Sequence, residues 1–325
     1  MKTNMMEFNI DTMQNSSRLL FDTIKSMNFK KFADLLNSLS MIDIDIKDES
    51  GNTLLYYATL YNNSDMLLLL LNKQARMDYT DGDGKTIIFT AIKYDYYDLI
   101  RTILEHNRNN FGQSVTEIKD KQGEFPLHYA IKIKNTRIIK LLIDYGANVN
   151  SISNDGYNSL HIAILTRQYD IIEYIINKTT ININGRTNTG DTALHIATNM
   201  RMVNVIKLLI DNKANVNYQN YDNDYTPLHY AINNNHNDII MILIESGADP
   251  NLQDVKGNNA LHYCVYDNNY KALEDLLSYN PNVNVNTWNI DGKTPMHIAL
   301  DAVDNEHIQE YIDMLIDKTN INIQD

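Results

Sequence analysis

Apolar residues along this chain fall in paired short stretches. The second stretch of each pair is the clearer. IIKLLIDYGANVN from Ile138, VIKLLIDNKANVN from Val205 and IIMILIESGADPN from Ile239 each keep apolar positions on one side of a helix. Gly146 and Gly247 then stand where such a helix ends on a left-handed residue, a place taken by Asn or Lys in other units. Ahead of each comes a shorter stretch opened by a six-residue pattern: TLLYYA at Thr53, TIIFTA at Thr86, FPLHYA at Phe125, NSLHIA at Asn158, TALHIA at Thr192, TPLHYA at Thr226, NALHYC at Asn259 and TPMHIA at Thr294. Successive starts lie 33, 39, 33, 34, 34, 33 and 35 residues apart. The second stretch of each unit thus predicts an amphipathic helix.

A Gly precedes the pattern by two residues at Gly51, Gly84, Gly123, Gly156, Gly190, Gly257 and Gly292, and Asp224 takes the place once. A tight turn with positive φ is expected there, which Gly adopts freely and Asp tolerates. A period near 33 with T-P-L-H-x-A resembles the ankyrin repeat, which has one β-turn and two helices per unit. The implied fold is all-α, an ankyrin-repeat solenoid of helix-turn-helix units with β-turn fingers. Residues 47–325 read as eight such repeats, and 16–46 as a degenerate N-terminal capping repeat with a polar outer face behind a polar tail, 1–15.

The wider spacing between the second and third repeats is expected to be a longer loop within HNRNNFGQSVTEI. At the other end Asp325 aligns with Asp254, the residue that opens a repeat, and no polar capping repeat follows Ile312, Leu315 and Ile316. The expectation is a native protein that continues past Asp325.

Charge narrows the partners. With 28 basic and 41 acidic residues the net charge is −13, which disfavours nucleic acid and anionic membrane. The N-terminus lacks the apolar core of a signal peptide, Lys2 excludes myristoylation, and the longest apolar run, Met66 to Leu71, is too short to span a bilayer. One cysteine, Cys264, fits a reducing compartment. Abundant Asn, Ile and Tyr match AT-rich codons, as in a viral or intracellular microbial genome.

Six histidines, His128, His161, His195, His229, His262 and His297, share one repeat position. Units stacked about 8–10 Å apart cannot pool them around one ion, so each is expected to hydrogen-bond its own turn. GDGKT at Gly82 has Tyr79 where a phosphate-binding loop needs Gly, and Gly292-Lys293-Thr294 fails in the same way at Thr287. Asp78, Asp81 and Asp83 lack the spacing and closing Glu of a calcium loop. Cys264 replaces the small Ala of the repeat, as a buried inert thiol would. No catalytic, cofactor or metal residue is therefore assigned.

Resemblance to ankyrin proteins implies protein binding through a long concave face of turn tips and first helices. The candidate binding residues at those positions are Tyr61, Tyr94, Lys121, Lys132, Tyr157, Asp222, Tyr225, Tyr266 and Trp288. Tyr and Trp bury large rigid area while keeping a polar handle. Charge is segregated as well. No Lys or Arg occurs between Lys213 and Lys256, where six acids accumulate, while the third repeat carries Lys119, Lys121, Lys132, Lys134, Arg137 and Lys140. LLYYA at Leu54 and GEFPLHYA at Gly123 look like poxvirus ankyrin proteins. That resemblance implies a host-range or immune-evasion factor that binds host proteins in the cytoplasm, and many such relatives dock on the host SCF ubiquitin ligase through an F-box-like C-terminal domain. Such a domain would have to lie beyond Asp325. An ankyrin effector of an intracellular bacterium or giant virus, and the targeting module of a larger enzyme, are the alternatives.

Overall fold

The computed structural model describes residues 15–39, 43–109, 114–280, 282–301 and 308–319. Residues 1–14 of the expected tail lie outside them. The chain divides into two compact units, Met1–Asn154 and Asp155–Asp325. Among the described residues all regular structure is helical apart from two isolated bridges, Lys47 with Thr53 and Arg186 with Thr192.

The first unit opens with the pair α1 (15–25) and α2 (Phe29–Ser38), followed by α3 (Leu54–Leu60), α4 (Ser64–Asn72), α5 (Ile87–Lys93), α6 (Tyr97–Asn109), α7 (Pro126–Lys132) and α8 (Thr136–Asp144). The first helices stack as α3, α5 and α7, and the second helices as α2, α4 and α6. Leu55, Ile88 and Ile92 are buried between them with Leu67, Leu70, Ile100 and Ile103. The second unit repeats the plan with α9 (Ser159–Leu165), α10 (Tyr169–Lys178), α11 (Ala193–Asn199), α12 (Val203–Asp211), α13 (Pro227–Asn233), α14 (Asn237–Glu245), α15 (Ala260–Tyr266), α16 (Tyr270–Tyr279), α17 (Pro295–Asp301) and α18 (Ile308–Thr319). Here the first helices α9, α11, α13, α15 and α17 stack in order.

One sequence expectation needs correction. The insertion is more than a loop, because α6 runs for 13 residues where α4 and α8 have 9, and a 3₁₀ turn at Val115–Glu117 then buries Val115. Residues 110–113 of that segment lie outside the described residues. At the C-terminal end Leu315 is buried with Tyr311, as α18 packs on α16 and α17, and Ile316 alone of the named residues is exposed.

The recurring T-x-L-H start is a reciprocal cap. Thr226 ends its extended segment as N-cap of α13 and its hydroxyl accepts from the His229 N–H at 3.3 Å, while His229 Nδ1 accepts from the Thr226 N–H at 3.0 Å. Asn158 with His161, Thr192 with His195 and Asn259 with His262 do the same. Phe89 in the second repeat cannot return the bond, and the buried Thr86 hydroxyl is left without a partner. The other ring nitrogen reaches further than expected. Nε2 of His161, His195 and His262 lies 3.1, 3.0 and 3.2 Å from the carbonyls of Gly185, Tyr225 and Lys293, on the connection into the following repeat. Each of these histidines therefore ties its own helix start to the next unit.

Asparagine does comparable work at the opposite end of the repeat. The Asn217 side chain donates to the Gly247 carbonyl at 3.0 Å and accepts from the Asp249 N–H at 2.8 Å, and Asn184 and Asn251 bridge their following repeats in the same manner. Asn63, Asn135 and Asn269 cap second helices. Part of the asparagine excess is thus structural.

Where the connection between the two helices of a repeat is described, one residue in it adopts a left-handed conformation, as Asn62, Asp95, Asn235 and Asn268 do, and also Lys134, Arg167 and Arg201. The pattern-opening glycines have positive φ as expected, and Asp224 matches them at φ 55. Gly190 is constrained twice, because at φ +83 an added Cβ would come 2.5 Å from the Tyr221 nitrogen of the next finger, whereas Gly292 at φ +67 has open space. Left-handed φ alone costs a non-glycine residue about 1–2 kcal/mol. Gly190→Ala is expected to lower the thermal unfolding midpoint clearly more than Gly292→Ala. Equal shifts in calorimetry would mean that the finger contact contributes nothing.

Candidate protein-binding surface

Most fingers are organised by the acid or amide that opens them, with Ser153 and Thr187 at that position in two repeats. Asp254 Oδ1 accepts from the N–H groups of Lys256 at 2.9 Å and Asn258 at 2.7 Å, and its backbone N–H donates to the Asn258 carbonyl. Asp48, Asp81, Asp120 and Asn289 fold their fingers in the same way. Asp81, immediately before the GDGKT segment, thus binds the Asp83 and Lys85 N–H groups of that segment. Neighbouring fingers are joined by single backbone bonds, from the Tyr221 N–H to the Thr189 carbonyl at 2.7 Å, Val255 to Asn223 at 3.1 Å and Ile290 to Lys256 at 2.9 Å.

In the first unit the two candidate tyrosines sit in aromatic stacks and the two candidate lysines are exposed. Tyr61 closes α3 and stacks on Tyr57 at 6.0 Å, and the Tyr57 hydroxyl donates to Asp48 Oδ2 at 2.6 Å. Tyr94 closes α5, is exposed, and stacks on Tyr96 at 5.6 Å with the Lys93 ammonium 5.4 Å from its ring. Lys121 is exposed on its finger, where its N–H donates to the Asp83 carbonyl. Lys132 is exposed but pairs with Glu124, so its charge is balanced locally.

In the second unit the candidates separate by burial. Tyr157 is half-buried with its ring edge-on to His161 at 6.2 Å. Tyr225 is also half-buried, stacked on His229 at 5.5 Å, and its hydroxyl lies 2.7 Å from the Tyr263 hydroxyl. Tyr263 donates to Asp254 Oδ2 at 2.6 Å, so Tyr225 is the donor to Tyr263. Burial and the Asp254 carboxylate hold the Tyr263 phenol pKa far above its ordinary value. Asp222, Tyr266 and Trp288 are exposed, Trp288 at 59%, with its indole 5.3 Å from the His297 ring and its carbonyl accepting from Gln253 Nε2 at 3.0 Å.

Three exposed residues escaped the sequence map. Tyr221, Val255 and Ile290 occupy the finger tips and are 60%, 53% and 73% exposed. Aligning the repeats on the finger-opening acid or amide would have found them, because that second position reads Glu49, Gly82, Lys121, Asn154, Asn188, Tyr221, Val255, Ile290 and turns apolar in the last three repeats.

Among the described residues no group of three or more His, Cys, Asp or Glu side chains could hold a metal ion, and no helix is long and apolar enough to cross a membrane. Cys264 is buried in α15, and burial pushes its thiol pKa well up, away from the reactive thiolate.

The chain is 36% identical over 159 residues to an ankyrin repeat protein of Acanthamoeba polyphaga mimivirus, covering 48% of this chain and 21% of that one, and so spans about a fifth of that relative's length. It is 32% identical over 136 residues to an ankyrin repeat protein of fowlpox virus, covering 42% of this chain and 91% of the relative. The crystal structure of the ankyrin repeat domain of Bcl-3, described as a unique member of the IkappaB protein family, superposes with a TM-score of 0.62 over 72% of this chain and 99% of that one, at 21% identity. The profile for ankyrin repeats in three copies matches residues 24–114, 110–187, 181–254 and 242–325, nearly the whole length over which helix pairs, capping histidines and fingers recur. The chain therefore belongs to the ankyrin repeat family, as an all-α solenoid of helical repeats.

Proposed function

We propose that this chain is a non-catalytic binding module of a viral host-range or immune-evasion factor that engages a host protein in the cytoplasm through its fingers and first helices. The observation that carries the reading is the exposure of Tyr94, Tyr266 and Trp288 on that side of the repeats, where large aromatic rings have no folding role that requires them to face water. Viral ankyrin proteins among its relatives support a virus as the source, and the mimivirus match favours the giant-virus alternative as much as the poxvirus one. A link to the SCF ubiquitin ligase would require a segment after Asp325, and sequencing that reading frame tests it directly.

The binding reading is tested by quantitative capture of host proteins on the immobilised chain, with Tyr94→Ala, Tyr266→Ala and Trp288→Ala compared with Tyr279→Ala at the end of α16. Truncating a true anchor typically costs at least about 2 kcal/mol, or about thirtyfold in affinity. Retention of a specific host protein is expected to fall by that order for at least one of the three, with unchanged thermal midpoints. Loss on Tyr279→Ala alone would place the partner on the second helices and sink the reading.

A further inference from the structure

We propose that the fingers of the last three repeats bind an extended, positively charged segment of a protein partner that carries an apolar side chain at every third residue. This rests on the protein-binding reading above and specifies the partner's chemistry for one part of the surface. Tyr221, Val255 and Ile290 hold the same finger position in consecutive repeats, and backbone bonds join each finger to the one before it. They form a row of exposed apolar tips, with Trp288 beside Ile290 two residues earlier on the same finger. The equivalent residues earlier in the chain are polar or Gly, so the row is a local feature and not a property of the repeat.

Spacing selects the conformation of the occupant. Stacked helices put successive repeats roughly 8–10 Å apart. A polyproline II segment rises about 3.1 Å per residue with three residues per turn, so every third side chain lies on one face at about 9 Å intervals. A β-strand repeats its face at about 6.7 Å and an α-helix at about 5.4 Å, so in either case side chains would fall between the fingers.

Charge selects the sign. Residues 214–255 contain Asp222, Asp224, Asp238, Glu245, Asp249 and Asp254 and no Lys or Arg. Asp222 and Asp291 are exposed next to Tyr221 and Ile290. Of the nearby cations, Lys293 is paired with Asp301 at 2.8 Å, and the Arg186 guanidinium is held against the Tyr221 ring at 4.1 Å while donating to the Gly190 and Gln219 carbonyls. The partners of Arg186 are neutral, so Arg186 and Lys256 together offset part, but not all, of Asp222, Asp224 and Asp291. Lysines or arginines between the apolar residues of the partner would meet these carboxylates and steer its approach.

The test uses the chain as it is and a fluorescein-labelled peptide of repeated Leu-Pro-Lys units, followed by anisotropy. Two control peptides change one property each: Leu-Pro-Lys-Pro units alter the period, and Leu-Pro-Glu units reverse the charge. Binding is expected for the first peptide, about tenfold weaker for either control, and weakened by salt. Tyr221→Ser and Ile290→Ser should each reduce it about tenfold at unchanged thermal midpoint. Equal affinity for all three peptides, no binding of the first, or indifference to both substitutions overturns the proposal. Sedimentation showing a dimer that Ile290→Ser dissolves would assign the row to a second copy of the chain and overturn it as well. If the peptide fails while Tyr94→Ala or Tyr266→Ala still abolishes capture of a host protein, the partner chemistry is wrong and the binding reading stands. If neither has an effect, both fall.

Discussion

Lowering the pH from 7 to 4 is expected to destabilise this chain by about 3 kcal/mol for each of two buried histidines, His128 and His229. Burial depresses both to about 4 from an ordinary value near 6.5, against smaller opposing contributions from the neighbouring carboxylates Asp120 and Asp254. A folded-state value below the unfolded one means that the unfolded chain binds more protons. The stabilisation is therefore complete above about pH 6.5 and is lost as pH falls toward 4, at about 1.4 kcal/mol per unit for each group. Burial lowers His195 and His262 as well, in the same direction.

At His229 the capping geometry adds a reason for the ring to resist protonation. His229 Nδ1 already accepts from the Thr226 N–H and lies 2.9 Å from its hydroxyl, and a proton there would face a donor in a site closed to water. Carboxylates modify the curve at its acidic end. Burial raises Asp45, Asp120 and Asp267, so these return some stability on protonation, while Asp78, held low by its hydrogen bond with Arg76, adds to the loss. Urea unfolding at pH 7 and at pH 4.5 measures the effect, and His128→Gln together with His229→Gln should flatten the dependence. Midpoints that do not move between these pH values would show that the rings are not kept neutral by the fold.

Much of this fold is legible in the sequence because the repeat states each physical requirement many times. One T-x-L-H start would be a weak signal, but recurrence at a period near 33 fixes the helix starts, the fingers and the left-handed glycines together. Features that occur once, or that depend on the neighbouring repeat, were harder to read. The second role of the histidines lies in a carbonyl 24 to 31 residues away, as for His161, His195 and His262, which local pattern does not reveal. Left-handed Lys134, Arg167 and Arg201 carry none of the Gly or Asn signature that marks such positions. For the proposed binding surface, position in the repeat groups the candidate residues but does not tell which of them are exposed. Tyr225 and Trp288 occupy positions of the same kind, and only the packing around them separates a ring engaged by Tyr263 and His229 from one facing water.

That separation makes the second large effect a contrast between stability and binding. Asp254→Ala is expected to cost about 2–4 kcal/mol, because it strands the N–H groups of Lys256 and Asn258 and leaves the buried Tyr263 hydroxyl with Tyr225 alone, at about 1–3 kcal/mol for each unsatisfied group. Asp254→Asn should cost much less, since its carbonyl oxygen still accepts from both N–H groups and its amide can donate to Tyr263, which then turns its proton toward Tyr225. Tyr225→Ala removes the ring stacked on His229 and the donor to Tyr263, so it should lower the unfolding midpoint, and any loss of binding should follow that loss of structure. Trp288→Ala should do the reverse, leaving the midpoint unchanged and weakening a finger-bound partner by about thirtyfold. Thermal unfolding and binding measured on the same four variants decide the matter. If Tyr225→Ala leaves the midpoint intact but abolishes binding, the tyrosine chain from Asp254 to Tyr225 is an interface element. If Trp288→Ala unfolds the last repeats, its indole is part of the core around His297 and not an anchor for a partner.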